Sequence, residues 1–288
     1  MTQGNLKYQF ARLSIAEKLI AINVIIFILE GLFKSLFGFS VLSWFELPKD
    51  FFSFIKQPWS IISYSFFHAG FGHIFRNMLI LYFAGRIFLN IFGTKRFLNV
   101  YFLGIIAGGL VFLLSYNVFP TLIHANTALI GASAGVTAVL IFVCSYVPTQ
   151  EIRLFVFNVK LWYIGAFVVL MDLIQIPNSG NIGGHLAHLG GAALGYFYAR
   201  QLLNGIDIGS GFGRLIDSIT NIFRGKEKKA PLKTVYRNKE EKKHSKETYD
   251  KDARQKKVDN ILDKISKSGY ESLSQDEKDF LFQAGKDN

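Results

Sequence analysis

The sequence predicts an all-α, polytopic membrane protein with six transmembrane helices, followed by a polar tail. Half of the 288 residues are hydrophobic and only 18% are charged, which is too apolar for an ordinary soluble domain. Residues 97–150 contain no Lys, Arg, Asp or Glu, whereas 20 of the 32 basic and 15 of the 21 acidic residues lie from Arg200 onward. These features exclude both a single soluble globule and a disordered chain over the first 199 residues.

Six stretches are long and apolar enough to approach the roughly 20 residues that a spanning helix needs. They are residues 19–36, 70–87, 97–119, 129–147, 161–176 and 182–203. The later stretches are rich in Gly, Ala, Ser and Thr, which allow membrane helices to pack closely. Basic residues precede the first stretch and flank the joints between stretches 2 and 3 and between stretches 4 and 5, so both termini are predicted to be cytosolic.

Composition divides the chain into five predicted segments. They are a cytosolic N-terminal arm (1–18), a six-span domain (19–203), an amphipathic helix on the inner leaflet (204–224), a charged flexible linker (225–257) and a small helical hairpin (258–288). In the hairpin, Gly269 is expected to end one helix, and Ser274 with Glu277 has the spacing of a capping box. The basic tail is expected to favour an anionic lipid bilayer, and its protein partner is unknown.

Four polar residues within the predicted spans need an explanation, because polar groups are costly inside a bilayer. They are His73 and Asn77 in stretch 2, Ser133 in stretch 4 and His188 in stretch 6. These three stretches all enter from the external face. His73, Ser133 and His188 lie three to six residues inside them, roughly 5–9 Å deep at 1.5 Å per residue. Residues at one depth on alternate helices can share a water-accessible cavity.

The chemistry of these groups is that of an acyl-transfer site. Ser133 offers a nucleophile and His188 a general base, brought together if Gly191 and Gly195 permit close helix packing. His73 and Asn77 lie at i and i+4 and can stabilise an oxyanion. Taken singly, each has a structural alternative: small residues around Ser133 for helix packing, a hydrogen-bonded core histidine at His188, and a local hydrogen-bonding pair at His73 and Asn77.

The motifs that carry these residues resemble the rhomboid family of intramembrane serine proteases. They run from Pro58 to His68, then through His73-x-x-x-Asn77, Gly131-x-Ser133, and finally Ala187-His188-x-x-Gly191-x-x-x-Gly195. The resemblance implies a six-helix rhomboid-like bundle in which a Ser133–His188 dyad has no acidic third member. It also implies an oxyanion hole of His73, Asn77 and the Ser133 backbone N–H. Gly131 allows close approach to the nucleophile.

The resemblance further implies an endopeptidase that cleaves single-span membrane proteins near the external end of their helix, in a bacterial inner membrane. No metal, organic cofactor or nucleic acid is expected. His73, His185 and His188 do not make a convincing zinc site, because no carboxylate is expected nearby. Two alternatives stay open: a catalytically inactive rhomboid-like protein that binds transmembrane helices, and a transporter or channel.

Two residues depart from the family pattern, and one acidic residue is left without a role. Thr137 stands where rhomboids often place an aromatic residue, and Arg76 interrupts an apolar stretch and is expected to extend outward to the headgroups. Asp172 is expected near the outer interface with no catalytic role.

Overall fold

The computed structural model describes residues 6–123, 127–154, 156–223 and 239–286, in two compact units divided after residue 225. The helices of the first unit are α1 (Leu6–Arg12), α2 (Ile15–Phe37), α3 (Phe51–Lys56), α4 (Ser60–Ser63), α5 (Phe71–Ile91), α6 (Thr94–Val118), α7 (Pro120–Ile123), α8 (Ser133–Tyr146), α9 (Leu161–Asn178), α10 (Ile182–Leu203) and α11 (Ser210–Phe223). Two antiparallel strand pairs accompany them, β1 (Leu47–Pro48) with β2 (Ala128–Leu129) and β3 (Glu151–Leu154) with β4 (Phe157–Lys160).

Among the described residues, four helices, α2, α5, α6 and α9, are long and apolar enough to cross a membrane. The other two predicted spans are occupied by α8 and α10. Helix α8 has 14 residues, about 21 Å, against a hydrocarbon core of roughly 30 Å. Helix α10 has 22 residues but is rich in glycine. The helices therefore support a multi-pass membrane protein, and the count of six spans stays a prediction.

The fourth predicted span starts too early. Helix α8 begins at Ser133 rather than at residue 129, because the preceding residues are extended and β2 pairs with β1. Gly131 has a φ of +118°, which a right-handed helix does not allow, and its N–H donates to the carbonyl oxygen of Tyr64 at 2.9 Å. Ser133 is consequently the first residue of α8, and Ala132 forms the turn that joins the extended segment to the helix.

Helix α8 is the centre of the first unit, and glycines on its neighbours allow close packing. A Cβ on Gly191 of α10 would overlap the carbonyl oxygen of Ala134, and a Cβ on Gly195 would overlap that of Ala138. Both pairs advance by four residues in the same direction, so α8 and α10 run parallel. His188, one turn before Gly191, therefore lies level with the start of α8.

The predicted N-terminal arm (1–18) is wrong in part. The structure has a short helix α1, and α2 begins at Ile15 rather than at residue 19. Ser14 and Glu17 form a capping box in which the Ser14 N–H donates to Glu17 at 2.7 Å and the Glu17 N–H donates to the Ser14 hydroxyl at 3.3 Å. A search for apolar residues misses a charged first turn of this kind.

Helix α11 corresponds to the predicted amphipathic helix but starts later, at Ser210. The turn before it is held to neighbouring helices: Asp207 accepts hydrogen bonds from Arg96 at 3.0 and 3.1 Å and from the Tyr198 hydroxyl. Lys95 forms a 2.7 Å ion pair with Asp217. Burial alone would raise the pKa of Asp207, but the hydrogen bonds from Tyr198 and Arg96 outweigh it and hold that pKa below its usual value.

The second unit consists of α12 (Lys239–Ser268), a 3₁₀ turn (Tyr270–Ser272) and α13 (Gln275–Lys286). The predicted flexible linker (225–257) is wrong over residues 239–257, which are helical; residues 225–238 lie outside the described residues. Lys, Glu, Gln and Arg favour helices, and a high density of charge does not by itself prevent a helix from forming. Gly269 separates the helices, Ser274 and Glu277 form the capping box, and Lys264 pairs with Glu277 at 2.8 Å.

Candidate active site

The segment before Ser133 is shaped by a glycine that no other residue can replace without strain. Gly131 has a positive φ, and a Cβ at this position would lie 2.7 Å from Cε1 and 2.8 Å from Nε2 of His73. The same Cβ would lie 3.7 Å from Oγ of Ser133. Gly131 therefore lets the His73 ring and the Ser133 hydroxyl approach the same stretch of backbone.

His68 supports this segment from the loop before α5. Its Nε2 accepts the backbone N–H of Ala132 at 3.4 Å, and its ring centroid lies 5.1 Å from that of His73. Burial lowers the pKa of His68 to about 4, with the neighbouring His73 as a second cause. His68 is therefore neutral at neutral pH and can accept this hydrogen bond.

Asn77 is a buried donor on the same side of the site. It lies one helical turn after His73 on α5 and is 3% exposed. Its Nδ2 has no hydrogen-bond partner among the described residues. Because buried polar groups are nearly always paired, a free amide donor at this position suits a negatively charged oxygen that is present only during a reaction.

Ser133, Asn77 and His188 line one cavity of about 280 Å³ between α5, α8, α9 and α10. Among the other lining residues are Arg76, Thr137, Asp172, Gln175 and His185. Arg76 is exposed, and it also borders this cavity. The expectation that Arg76 extends outward to the headgroups did not include a place at the cavity. His73 is not on the cavity lining and meets the site through Gly131.

Asp172 is a site residue that the sequence did not identify. It is buried, and its Oδ1 lies 2.8 Å from Nδ1 of His188 and 2.8 Å from Nδ1 of His185. The expectation that no carboxylate lies near the histidines is therefore wrong. A signal was present in the sequence: Asp172 and His188 are each eight residues from Gly180, in the turn between α9 and α10, so they lie level in the helical hairpin.

The same three side chains are the one group of metal-ligand residue types found among the described residues. Asp172, His185 and His188 each offer one ligand atom, and these three atoms lie within 4.8 Å of one another. Their mutual contacts have hydrogen-bond lengths, so the group is satisfied as a hydrogen-bonded cluster.

Comparison with protein families then identifies the first unit. The Rhomboid domain model matches residues 56–205, more than half of the chain and all of the cavity lining. The chain belongs to the rhomboid family. A second model, for a family of unknown function, matches residues 241–284 of this rhomboid, which are α12 and α13.

Curated relatives of this rhomboid are distant. RHOMBOID-like protein 12, mitochondrial, of Arabidopsis thaliana is 31% identical over 47% of this chain and 44% of the relative. Presenilin-associated rhomboid-like protein A, mitochondrial, of Danio rerio is 27% identical over 46% of this chain and 35% of the relative. Rhomboid-related protein 1 of Caenorhabditis elegans is 29% identical over 51% of this chain and 40% of the relative. The matched segment thus spans less than half of each relative.

Proposed function

We propose that this rhomboid is an intramembrane serine endopeptidase that cleaves transmembrane-helix substrates near the external membrane face. The observation that carries the proposal is the shared cavity, in which the hydroxyl of Ser133, the imidazole of His188 and the unpartnered amide of Asn77 come together. Membership of the rhomboid family supports the same class of reaction. We also propose that both termini are cytosolic. Most of the basic residues lie on the same side of the predicted spans as the termini, and basic residues are enriched on the cytosolic side of membrane proteins.

The chemistry proceeds through an acyl-enzyme. Oγ of Ser133 bonds to the scissile carbonyl carbon while His188 takes the hydroxyl proton. Asn77, His73 and the Ser133 N–H stabilise the resulting oxyanion. When the C–N bond breaks, His188 gives its proton to the leaving nitrogen. Water then attacks the ester carbon and loses one proton to His188. The C–Oγ bond breaks as His188 returns this proton to Oγ, and the product leaves as a carboxylic acid that ionises in water.

The membrane location defines the substrate class. A peptide bond inside a helix is hydrogen-bonded and shielded from water, so the substrate helix must unwind locally before Ser133 can reach it. We therefore expect cleavage of single-span proteins that carry Gly or Pro near the scissile bond, where a helix unwinds most easily. The named relatives above are eukaryotic and two are called mitochondrial, so the bacterial inner membrane stays a prediction.

The deciding experiment compares the reconstituted parent with Ser133→Ala and His188→Ala on a panel of fluorescent reporter helices. Ser145→Ala is the matched control, because Ser145 lies on the same helix but away from the cavity. We expect cleavage by the parent and the control, and none detectable by the other two variants. Unchanged cleavage in either catalytic variant would contradict its role. A parent that captures reporter helices in crosslinking but cleaves none would favour the inactive, helix-binding alternative.

A further inference from the structure

We infer that Asp172 is a positioning residue for the base His188, so that the reaction uses an Asp172–His188–Ser133 series in place of a Ser–His pair. This inference rests on the proposed function. It starts from the 2.8 Å contact between Oδ1 of Asp172 and Nδ1 of His188. Among the described residues, Asp172 is the one acidic side chain on the cavity lining.

The contact determines which nitrogen of His188 can act as a base. A carboxylate has no proton to donate, so the Nδ1–H of His188 must donate to Asp172. In a neutral imidazole the other nitrogen then carries the free lone pair. Asp172 thereby leaves Nε2 unprotonated, and Nε2 is the atom that must take the proton of the Ser133 hydroxyl.

The fold holds this contact in place from both sides. Helices α9 and α10 form a hairpin whose turn is closed at Asn181, where the side chain accepts the Gly184 N–H at 3.1 Å. Asp172 lies in the second-last turn of α9, opposite His188 on α10. The side chain of Asp172 is 9% exposed and that of His188 is 15% exposed. Both side chains are therefore largely shielded from solvent that would compete for their hydrogen bond.

His185 adds a second donor to the same carboxylate oxygen. Its Nδ1 lies 2.8 Å from Oδ1 of Asp172, so this oxygen accepts two hydrogen bonds from residues three apart on α10. Two donors restrict the rotation of the carboxylate more than one does, and they help to satisfy its buried charge. His185 therefore orients Asp172, which in turn orients His188.

The charge of Asp172 favours the reaction in addition to its geometry. His188 becomes a cation whenever it holds the proton of Ser133 or of water. A carboxylate in direct contact with this cation, in a poorly solvated site, stabilises the charged intermediate relative to the resting state. In this family the sequence motifs predict a two-residue site, whereas the contacts here add a third residue from α9.

The first test measures the tautomer and does not depend on activity. The parent is labelled with ¹⁵N-histidine in detergent, and the His188 signal among the six histidines is assigned by its loss in His188→Gln. We expect His188 to be a neutral ring with its proton on Nδ1, and the Nε2–H form to increase in Asp172→Ala. A parent in which His188 carries its proton on Nε2 would overturn the inference.

The second test measures turnover on the reporter helices. Asp172→Asn keeps the shape of the side chain but removes its charge, and we expect kcat to fall about 100-fold or more while KM changes less than twofold. His185→Leu is the comparison variant, because it removes the other donor to the same oxygen without supplying a new one; we expect a loss of less than about tenfold.

The two tests separate the inference from the proposed function. Parental turnover by Asp172→Asn would refute a positioning role, and a loss in His185→Leu as large as that in Asp172→Asn would refute the smaller, indirect role given to His185. A parent that shows the Nδ1–H form but cleaves nothing would contradict the proposed enzyme, while supporting the placement of the imidazole by Asp172.

Discussion

Replacing Gly131 by alanine should impair catalysis by two separate effects. Gly131 has a φ of +118°, which costs an alanine about 1–2 kcal/mol of backbone strain. In addition, the new Cβ would lie 2.7 Å from the His73 ring, whereas ordinary contacts begin at 3.4 Å. His73 or the segment before Ser133 must therefore move by about 0.7 Å. A displacement of this size near reacting atoms reduces turnover by about 10- to 100-fold.

A second glycine separates the two effects. Gly38 ends α2 with a φ of +71°, and a Cβ there would contact nothing within 4 Å. Gly38→Ala should therefore show the backbone strain without the clash. We expect Gly38→Ala to lose about 1–2 kcal/mol of unfolding free energy, and Gly131→Ala to lose at least as much, because the clash adds to the strain. Only Gly131→Ala should lose turnover on the reporter helix in liposomes.

The assay measures unfolding by denaturant titration and turnover by reporter fluorescence in the same preparations. A Gly131→Ala protein that cleaves at the parental rate would refute the argument that this glycine makes room for the His73 ring. Equal loss of turnover in Gly38→Ala and Gly131→Ala would assign the defect to general destabilisation.

Two further predictions concern single side chains. Asn77→Ala removes an unpartnered oxyanion donor, so kcat should fall about 10²- to 10³-fold with little change in KM, and a change confined to KM would contradict this role. Asp207 has a lowered pKa in the folded protein, so its ionised form stabilises the fold above the ordinary value of 3.8 and this contribution is lost as the pH falls below it. Asp207→Asn should therefore melt below the parent at pH 7, and the gap should narrow progressively as the pH is lowered past 3.8. A gap that is independent of pH would show that the Asp207 charge is not the cause.

The tail presents a separate question, because its family match carries no known function. Its helices hold together through few apolar contacts, with Ile261 and Leu273 buried, and through the Lys264–Glu277 ion pair. So small an apolar core makes a marginal domain on its own. The basic composition of the tail keeps the anionic inner leaflet as its predicted ligand.

The membrane character of the chain could be predicted from local sequence, and the same local features give the prediction of the reacting groups. Apolar length indicates spanning helices because the bilayer requires about 20 residues to cross it. Polar residues such as Ser133 and His188 stand out in these stretches because burying them is costly unless they have a use. The Gly191 and Gly195 spacing also predicted a close helix contact, and both glycines pack against α8.

Boundaries and electrostatic partners needed the tertiary structure. The start of α8 depends on the pairing of β2 with β1, a contact between residues about 80 apart that periodicity cannot detect. The charge density of residues 239–257 predicts a linker, but these residues are helical. Their favourable helix propensities outweigh their polarity.

The sequence by itself determined that this protein is apolar enough for a membrane, and it predicts Ser133, His188, His73 and Asn77 as the groups available for chemistry. Only the tertiary structure decided that Asp172 accepts hydrogen bonds from His185 and His188. The physical reason is that apolar length and helical spacing are properties of neighbouring residues. A hydrogen bond between α9 and α10 depends instead on how the two helices are rotated about their axes, and that rotation is settled by packing across the whole bundle.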